Sequence, residues 1–264
     1  MKRTPISVCL ADFPAPFHPF LENATVYDSS CSPEARVFFI ERDEGYYLKH
    51  APTGTLELEM QQTRYFHTLG LGARVLAYHR EQGDWLLCTR VPGEDATHPC
   101  YLAEPERLAT CIATHLRALH ERAFQGCPVQ NHTERYLQTV EKNHALGLFE
   151  ASFLPPHLQK MTAKEAFRFL QEGKHLLETN TLLHGDYCLP NIMLQDWRLC
   201  GFIDLGNGGV GDRHVDIFWG AWTLGYNCGK GQAERLRALF FDTYGRDGID
   251  FSRLDLIAAA ECFG

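Results

Sequence analysis

A chain of 264 residues is long enough for one large domain or two closely packed lobes with a real core. Its composition, 45% hydrophobic and 22% charged, is that of an ordinary soluble globular protein. With 33 acidic against 25 basic residues, a formal charge of −8 and no basic run, nucleic acid and anionic membranes are poor partners for it.

In chain order, the first twenty residues start basic, but Pro5, Asp12, Pro14, Pro16 and Pro19 interrupt any apolar core, so no signal peptide is expected. No apolar run anywhere approaches the ~20 residues of a membrane span. Arg36 to Ile40 and Tyr46 to Lys49 alternate as a hairpin turning near Asp43-Glu44-Gly45. A helix is expected from Leu56 to Leu69, with Thr55 as its N-cap and Gly70 at its C-terminal end. A second hairpin follows, Val75 to Tyr78 and Trp85 to Val91, turning at Gln82-Gly83-Asp84, before Pro92-Gly93 interrupts the chain. From about residue 103 onward helical periodicity dominates, as in Leu108, Ile112, Leu116 and Leu119. The exception is a short strand pair, Asn191 to Leu194 and Leu199 to Leu205. The expected fold is therefore α+β and bilobal: a small β-rich lobe over residues 1–91, then a larger, mainly helical lobe over residues 92–264. The 10 cysteines are scattered, with no C-x-x-C pair and no Cys/His cluster at zinc spacing, so free thiols and a cytoplasmic location are expected.

Chemistry concentrates between His184 and Asp204. The order His184, Asp186, Asn191, then Asp204-Leu205-Gly206 satisfies the protein-kinase pattern H-x-D-x-x-x-x-N followed by D-x-G. In that chemistry the first aspartate orients a hydroxyl and can accept its proton, while the asparagine and second aspartate hold magnesium against the phosphates of ATP. Singly, Asp186 and Asn191 are ordinary turn residues; the joint spacing is what argues for phosphoryl transfer. Lys49, at the end of an expected strand, is by itself an ordinary solvated lysine. Glu59, however, lies three residues after Leu56 and seven before Phe66, on the apolar helix face, where a carboxylate needs a partner; Lys49 is the natural one. Glu57 falls on another face and reads as solvated. His184 is expected to pack beneath the loop, and Asp216 to be a buried carboxylate binding loop amides. Gly206-Asn207-Gly208-Gly209-Val210-Gly211 satisfies G-x-G-x-x-G but has no βαβ unit around it, so it reads as the mobile segment after the magnesium aspartate.

The stretch from Leu183 to Ile217 resembles the aminoglycoside 3′-phosphotransferases, the kanamycin and neomycin kinases, which have a protein-kinase-like fold. The resemblance continues in Ser32 to Val37 (the nucleotide loop), Tyr47-Leu48-Lys49, Leu86 to Thr89 (the hinge), and Leu116 to His120 with Cys127-Pro128. It implies that Asp186 is catalytic, that Asn191 and Asp204 bind Mg2+, and that Lys49, oriented by Glu59, and Ser32 hold the phosphates of ATP (or GTP). Backbone groups of Thr89 and Val91 would hold the base. The acceptor would be a cationic aminoglycoside, bound by acidic side chains, and the enzyme a monomer or weak dimer that confers antibiotic resistance. The family often carries an arginine where this chain has Asn207, and two adjacent acids where it has Glu261-Cys262 before Phe263-Gly264. Asn207, Glu261 and Glu150 are accordingly the candidate acceptor-binding residues. Another hydroxylated acceptor (a sugar, an amino alcohol, another antibiotic) is the alternative; a silent nucleotide-binding protein and a metal-dependent phosphoesterase are more remote.

Overall fold

The alternation in the N-terminal third builds one antiparallel sheet. The computed structural model describes residues 3–264. Strands β1 (Thr4–Ile6), β2 (Thr25–Asp28), β3 (Arg36–Glu41), β4 (Tyr46–Ala51), β5 (Val75–Arg80) and β6 (Asp84–Thr89) lie in the order β1-β2-β3-β4-β6-β5. Phe38 and Ile40 of β3, Leu48 of β4, and Trp85 and Leu87 of β6 recur at every second position and bury one face. Phe13, Phe17 and Leu21 cover it, the last from the short helix α1 (His18–Leu21). The proline-interrupted leader thus supplies an edge strand and part of the core.

Helix α2 (Glu57–Thr68) occupies the expected span, but Thr55 does not cap it; its hydroxyl donates to Pro52 O at 2.7 Å. The cap comes from another strand. The buried Asp84 carboxylate accepts from Gly54 N at 2.9 Å and Leu56 N at 3.0 Å, and from Arg80 at 3.0 Å. Asp84, expected in a turn, is the first residue of β6, where its negative charge complements the helix N-terminus.

Pro92-Gly93 is more than a break. A Cβ on Gly93, whose φ is +88°, would lie 2.3 Å from Leu194 O, so only glycine lets the chain pass there. Immediately after it, β7 (Glu94–Asp95) begins a second small sheet. The chain then runs through α3 (Pro99–Leu102), α4 (Pro105–His120), α5 (His132–Ala145), α6 (Ala163–Gly173) and β8 (Thr181–Leu183). It returns in β9 (Ile192–Gln195) and β10 (Arg198–Phe202), and finishes through β11 (Gly209–Gly211), α7 (His214–Cys228), α8 (Ala233–Tyr244) and α9 (Phe251–Glu261).

Residues up to His98 pack with Pro190–Asn207 as one unit, and Pro99–Leu189 with Gly208–Gly264 as the other. A single cut at 91/92 therefore misses that β9 and β10 join the first unit. Main-chain pairing is the reason: β9 lies between β10 and β7, with Glu94 opposite Leu194. In the second unit, Leu108, Ile112, Leu116 and Leu119 are buried along α4, as their spacing predicts. The core there includes Val140, Leu170, Leu256 and Phe263, with Leu183, Val215 and Ile257 in a second cluster.

Five strands, β1, β2, β7, β8 and β11, were not anticipated. Gly209–Gly211, read as mobile, is β11, antiparallel to β8. Its glycines serve close packing: a Cβ on Gly209 would sit 2.7 Å from Val129, and one on Gly211 2.6 Å from His132. Among the described residues no helix is long and apolar enough to cross a membrane.

Candidate active site

Within the first unit, a cavity of about 210 Å³ is lined by Ser32 and Val37, by Lys49, Glu59, Thr89 and Val91, and by Asn191 and Asp204. Seven of the residues singled out from sequence thus meet in one hollow. Lys49 Nζ donates to Glu59 Oε2 at 2.8 Å and to Asp204 Oδ1 at 2.6 Å. Burial opposes the Lys49 charge, but the two carboxylates override it and hold the ammonium protonated well above its ordinary range. One cation thus serves two anions. Burial pushes the Glu59 carboxyl up, the Lys49 ammonium opposes this, and the negative charge of Asp204 adds to the upward push. The expected strand-to-helix pair is formed, and a second carboxylate, Asp204, shares the same ammonium.

Asp204 sits in the left-handed region at φ +60°, uncommon for a residue other than glycine. That conformation comes two residues after β10 and turns the carboxylate to the cavity, 53% exposed. Asn191 lies beside it in the backbone sense, its carbonyl accepting from Ile203 N at 3.1 Å. Among the described residues no three His, Cys, Asp or Glu side chains converge as a metal cage. Magnesium needs none: it takes one or two protein oxygens and completes its shell with phosphate and water. One amide and one exposed carboxylate on the cavity wall fit that requirement.

The Thr89 N–H donates to Arg74 O at 2.9 Å, and its hydroxyl accepts from Arg74 N at 3.0 Å. That amide is committed to the sheet, so it is not a group that can hold a base. Ser32 is exposed, and its hydroxyl donates to the Glu34 carboxylate, which it holds below the usual range. Asn207 is exposed at the end of a short 3-10 turn in this unit.

The second unit carries the loop with Asp186. Fully buried Asp216, on α7, accepts from His184 N at 2.7 Å and Gly185 N at 2.8 Å. Gly185 has φ +86°, which allows both amides to face one carboxylate. Burial alone would raise the Asp216 pKa; His120, at 3.2 Å, and the loop amides hold it below the usual carboxylate range. Because a carboxylate only accepts, His120 Nε2–H donates to Asp216, and His120 Nδ1 accepts from Tyr244 O–H at 2.8 Å. Buried His184 sits under the loop, its Nδ1 accepting from Asp186 N at 3.2 Å. Both expectations for His184 and Asp216 are met in geometry.

Glu261, the last residue of α9, is 5% exposed. Its Oε1 accepts from Tyr136 O–H at 2.9 Å and from Trp219 Nε1–H at 3.1 Å. Burial pushes its pKa up to about 7 against these two donors, and the Asp186 carboxylate adds a like-charge push. The neighbouring Cys262 supplies no charge. Its buried thiol donates to Ala258 O at 3.3 Å, and burial raises its pKa to about 12. Glu150 is exposed and accepts from Ser152 N at 3.0 Å, while its own N–H donates to Cys262 O at 2.7 Å. It lies near Glu261 in the chain path, but as a surface cap.

A family model described as "Phosphotransferase enzyme family" matches residues 32–256. The chain belongs to the phosphotransferase enzyme family. It is 46% identical, over 98% of both chains, to a probable aminoglycoside 3'-phosphotransferase of Lactococcus lactis subsp. lactis (strain IL1403). Among solved structures it resembles an aminoglycoside-3'-phosphotransferase of type VIII, with a TM-score of 0.69 and 22% identity, covering 89% of this chain and 92% of that one. It also resembles the aminoglycoside phosphotransferase APH(3'')-Id of Streptomyces rimosus ATCC10970 bound to ADP and streptomycin. There the TM-score is 0.67 at 24% identity, over 86% of this chain and 90% of that one. The kinase-like α+β fold expected from sequence is the fold of this phosphotransferase.

For a phosphotransferase, Lys49→Ala removes a side chain bonded to both Glu59 and Asp204 and leaves two carboxylates without their shared cation. Turnover is expected to fall roughly 100- to 1,000-fold, with a raised KM for ATP. Steady-state kinetics check this; an unchanged rate would reject the assigned pair. Sequence reasoning named His120 only as the end of a resembling segment, with no role, and passed over Tyr244, Tyr136 and Trp219. Their only sequence signal is polar or aromatic residues at buried helical positions, which acquires meaning once Asp216 and Glu261 are seen to need donors.

Proposed function

We propose that this phosphotransferase transfers the γ-phosphoryl group of ATP, or of GTP, to a hydroxyl, the 3′, of an aminoglycoside antibiotic. The observation that carries the reading is Lys49 held between Glu59 and Asp204 in a cavity walled by the nucleotide loop and hinge. The names of the relatives support the acceptor. Lys49, and Ser32 from its loop, would bind phosphate oxygens, and Val91 with the Thr89 carbonyl the base. Mg2+, held by Asn191 and Asp204, would neutralise phosphate charge. Asp186 would align the acceptor hydroxyl in line with the γ-phosphorus and take its proton as the new P–O bond forms and the bond to ADP breaks. Such a loose transition state asks chiefly for positioning and electrostatics. The 10 free cysteines fit a reducing compartment, and we place the enzyme in the cytoplasm.

Glu261 would pair with an ammonium group of the acceptor, with Glu150 and Asn207 as outlying polar contacts. A cation favours the carboxylate form, and the free-enzyme pKa is about 7. Acceptor binding is therefore expected to release a proton below about pH 7, and to tighten as pH rises through that value. Calorimetry in two buffers of different ionisation enthalpy measures the release, and Glu261→Gln should abolish it; release unaltered in the variant would assign the proton elsewhere. The same shift carries a stability sign. A folded pKa above the ordinary ~4.3 means Glu261 lowers stability progressively as pH rises from about 4.3 through 7.

The function itself is tested by ADP release with ATP and magnesium across kanamycin, neomycin, a 3′-deoxy aminoglycoside, spectinomycin, choline and homoserine. Turnover with kanamycin but not with the 3′-deoxy compound is expected. Stimulation only by choline or homoserine would move the acceptor to an amino alcohol.

A further inference from the structure

Glu261 does not end the acceptor face of the second unit. Trp219, whose Nε1–H donates to it, begins a ladder of rings along α7 at positions 219, 222 and 226, one helical face. Trp219 and Trp222 lie 5.4 Å apart edge to face, and Trp222 stacks on Tyr226 at 4.9 Å with planes 16° apart. Phe153 stands 5.6 Å from both tryptophans. Burial of apolar surface accounts for the inner rings but not for the outer one. Tyr226 is 73% exposed, the most exposed of the large hydrophobic residues described.

We propose that Trp219, Trp222 and Tyr226 form a stacking platform of the acceptor subsite, taking the C–H face of an amino-sugar ring whose ammonium group reaches Glu261. The inference rests on the aminoglycoside reading above and specifies how that acceptor is held. Aromatic faces carry negative quadrupole charge and attract both polarised C–H groups and ammonium. An amino sugar presents C–H bonds on its faces and charge at its edge, which matches rings running out from a buried carboxylate. The Trp219–Glu261 hydrogen bond joins the two recognition elements, so a ring resting on the ladder has an anion at its inner end. Asp186 interacts electrostatically with Glu261, which puts the phosphoryl-accepting end of the subsite within the same field. The platform spreads recognition over apolar contact where Cys262 contributes no second charge.

The test uses the full-length enzyme and kanamycin as probe, with Tyr226→Ala, Trp222→Ala and Trp222→Phe. Each alanine variant is expected to raise the KM for kanamycin roughly 3- to 30-fold, with kcat and the KM for ATP nearly unchanged. Trp222→Phe, which keeps a ring, should recover most of the loss. Tyr226→Ala removes an exposed ring and keeps the test valid if Trp222→Ala fails to fold. A Tyr226→Ala enzyme with wild-type kanamycin KM would overturn the platform, as would a lowered melting temperature with no change in KM. A wild-type enzyme that turns over no aminoglycoside would instead fail the functional reading itself, and is seen before any variant is made.

Discussion

Asp186→Ala is expected to lower turnover roughly 10³- to 10⁴-fold while leaving ATP affinity and melting temperature close to wild type. The separation follows from where the residues lie. The cavity lining that would bind nucleotide comes entirely from the first unit, whereas Asp186 belongs to the loop of the second. The main-chain bonds that support the loop do not run through the Asp186 side chain: Asp216 holds the amides of His184 and Gly185, and His184 Nδ1 takes the Asp186 main-chain N–H. Alanine keeps every one of those main-chain bonds and removes only the carboxylate. Isothermal titration with ATP and magnesium, beside a steady-state assay, reads both halves. Lost nucleotide affinity in a folded variant would contradict the role, and so would more than a few per cent residual turnover.

The largest expected effect on stability belongs to Asp216→Ala, about 3–5 kcal/mol, or a fall in melting temperature of roughly 6–20 °C. Three buried donors, His184 N, Gly185 N and His120 Nε2, lose their acceptor together, and no water reaches them readily at a fully buried carboxylate. Because its folded pKa is depressed, the stability Asp216 contributes is complete above the ordinary aspartate value of about 3.9 and is lost as pH falls through its lower folded value. Burial lowers the pKa of His120, so protonation of the unfolded chain erodes stability further as pH drops below about 6.5. The wild type is therefore expected to be acid-sensitive, and Asp216→Ala to lose the steep part of that dependence. Glu57→Ala is the contrast. Its pair with Arg80 at 3.1 Å is about half exposed on both sides and should contribute under about 1 kcal/mol. Thermal melts across pH decide; equal losses in the two variants would mean that the Asp216 network is not what holds the loop.

Much of the machinery was legible because local periodicity and fixed motif spacing carry it. Glu59 falls on the apolar side of a 3.6-residue helix, and a charge there must find a partner, so the bond to Lys49 could be anticipated before any coordinates. The interval from Asp186 to Asn191 is a property of one short loop, and Asp204 follows the end of β10 by two residues, so their order reads directly. Even the burial of Asp216 could be expected, since the kinase pattern around His184 calls for a carboxylate under the loop amides.

What stayed hidden depends on partners distant in sequence. Asp84 caps α2 from a strand that begins sixteen residues after the helix ends, while Thr55, the local candidate, bonds elsewhere. The Pro190–Asn207 hairpin belongs with the N-terminal unit because β9 pairs with β7, and main-chain pairing leaves little trace in side-chain pattern. Glu261 could be singled out from sequence, but its burial, its pKa near 7 and its donors Tyr136 and Trp219 exist only once α5, α7 and α9 pack together. By itself the sequence determined which residues match the phosphoryl-transfer pattern, because that pattern is local and ordered along the chain. Tertiary structure alone decided how the surroundings of Glu261 are built, because charge burial and ring stacking arise from packing between distant helices.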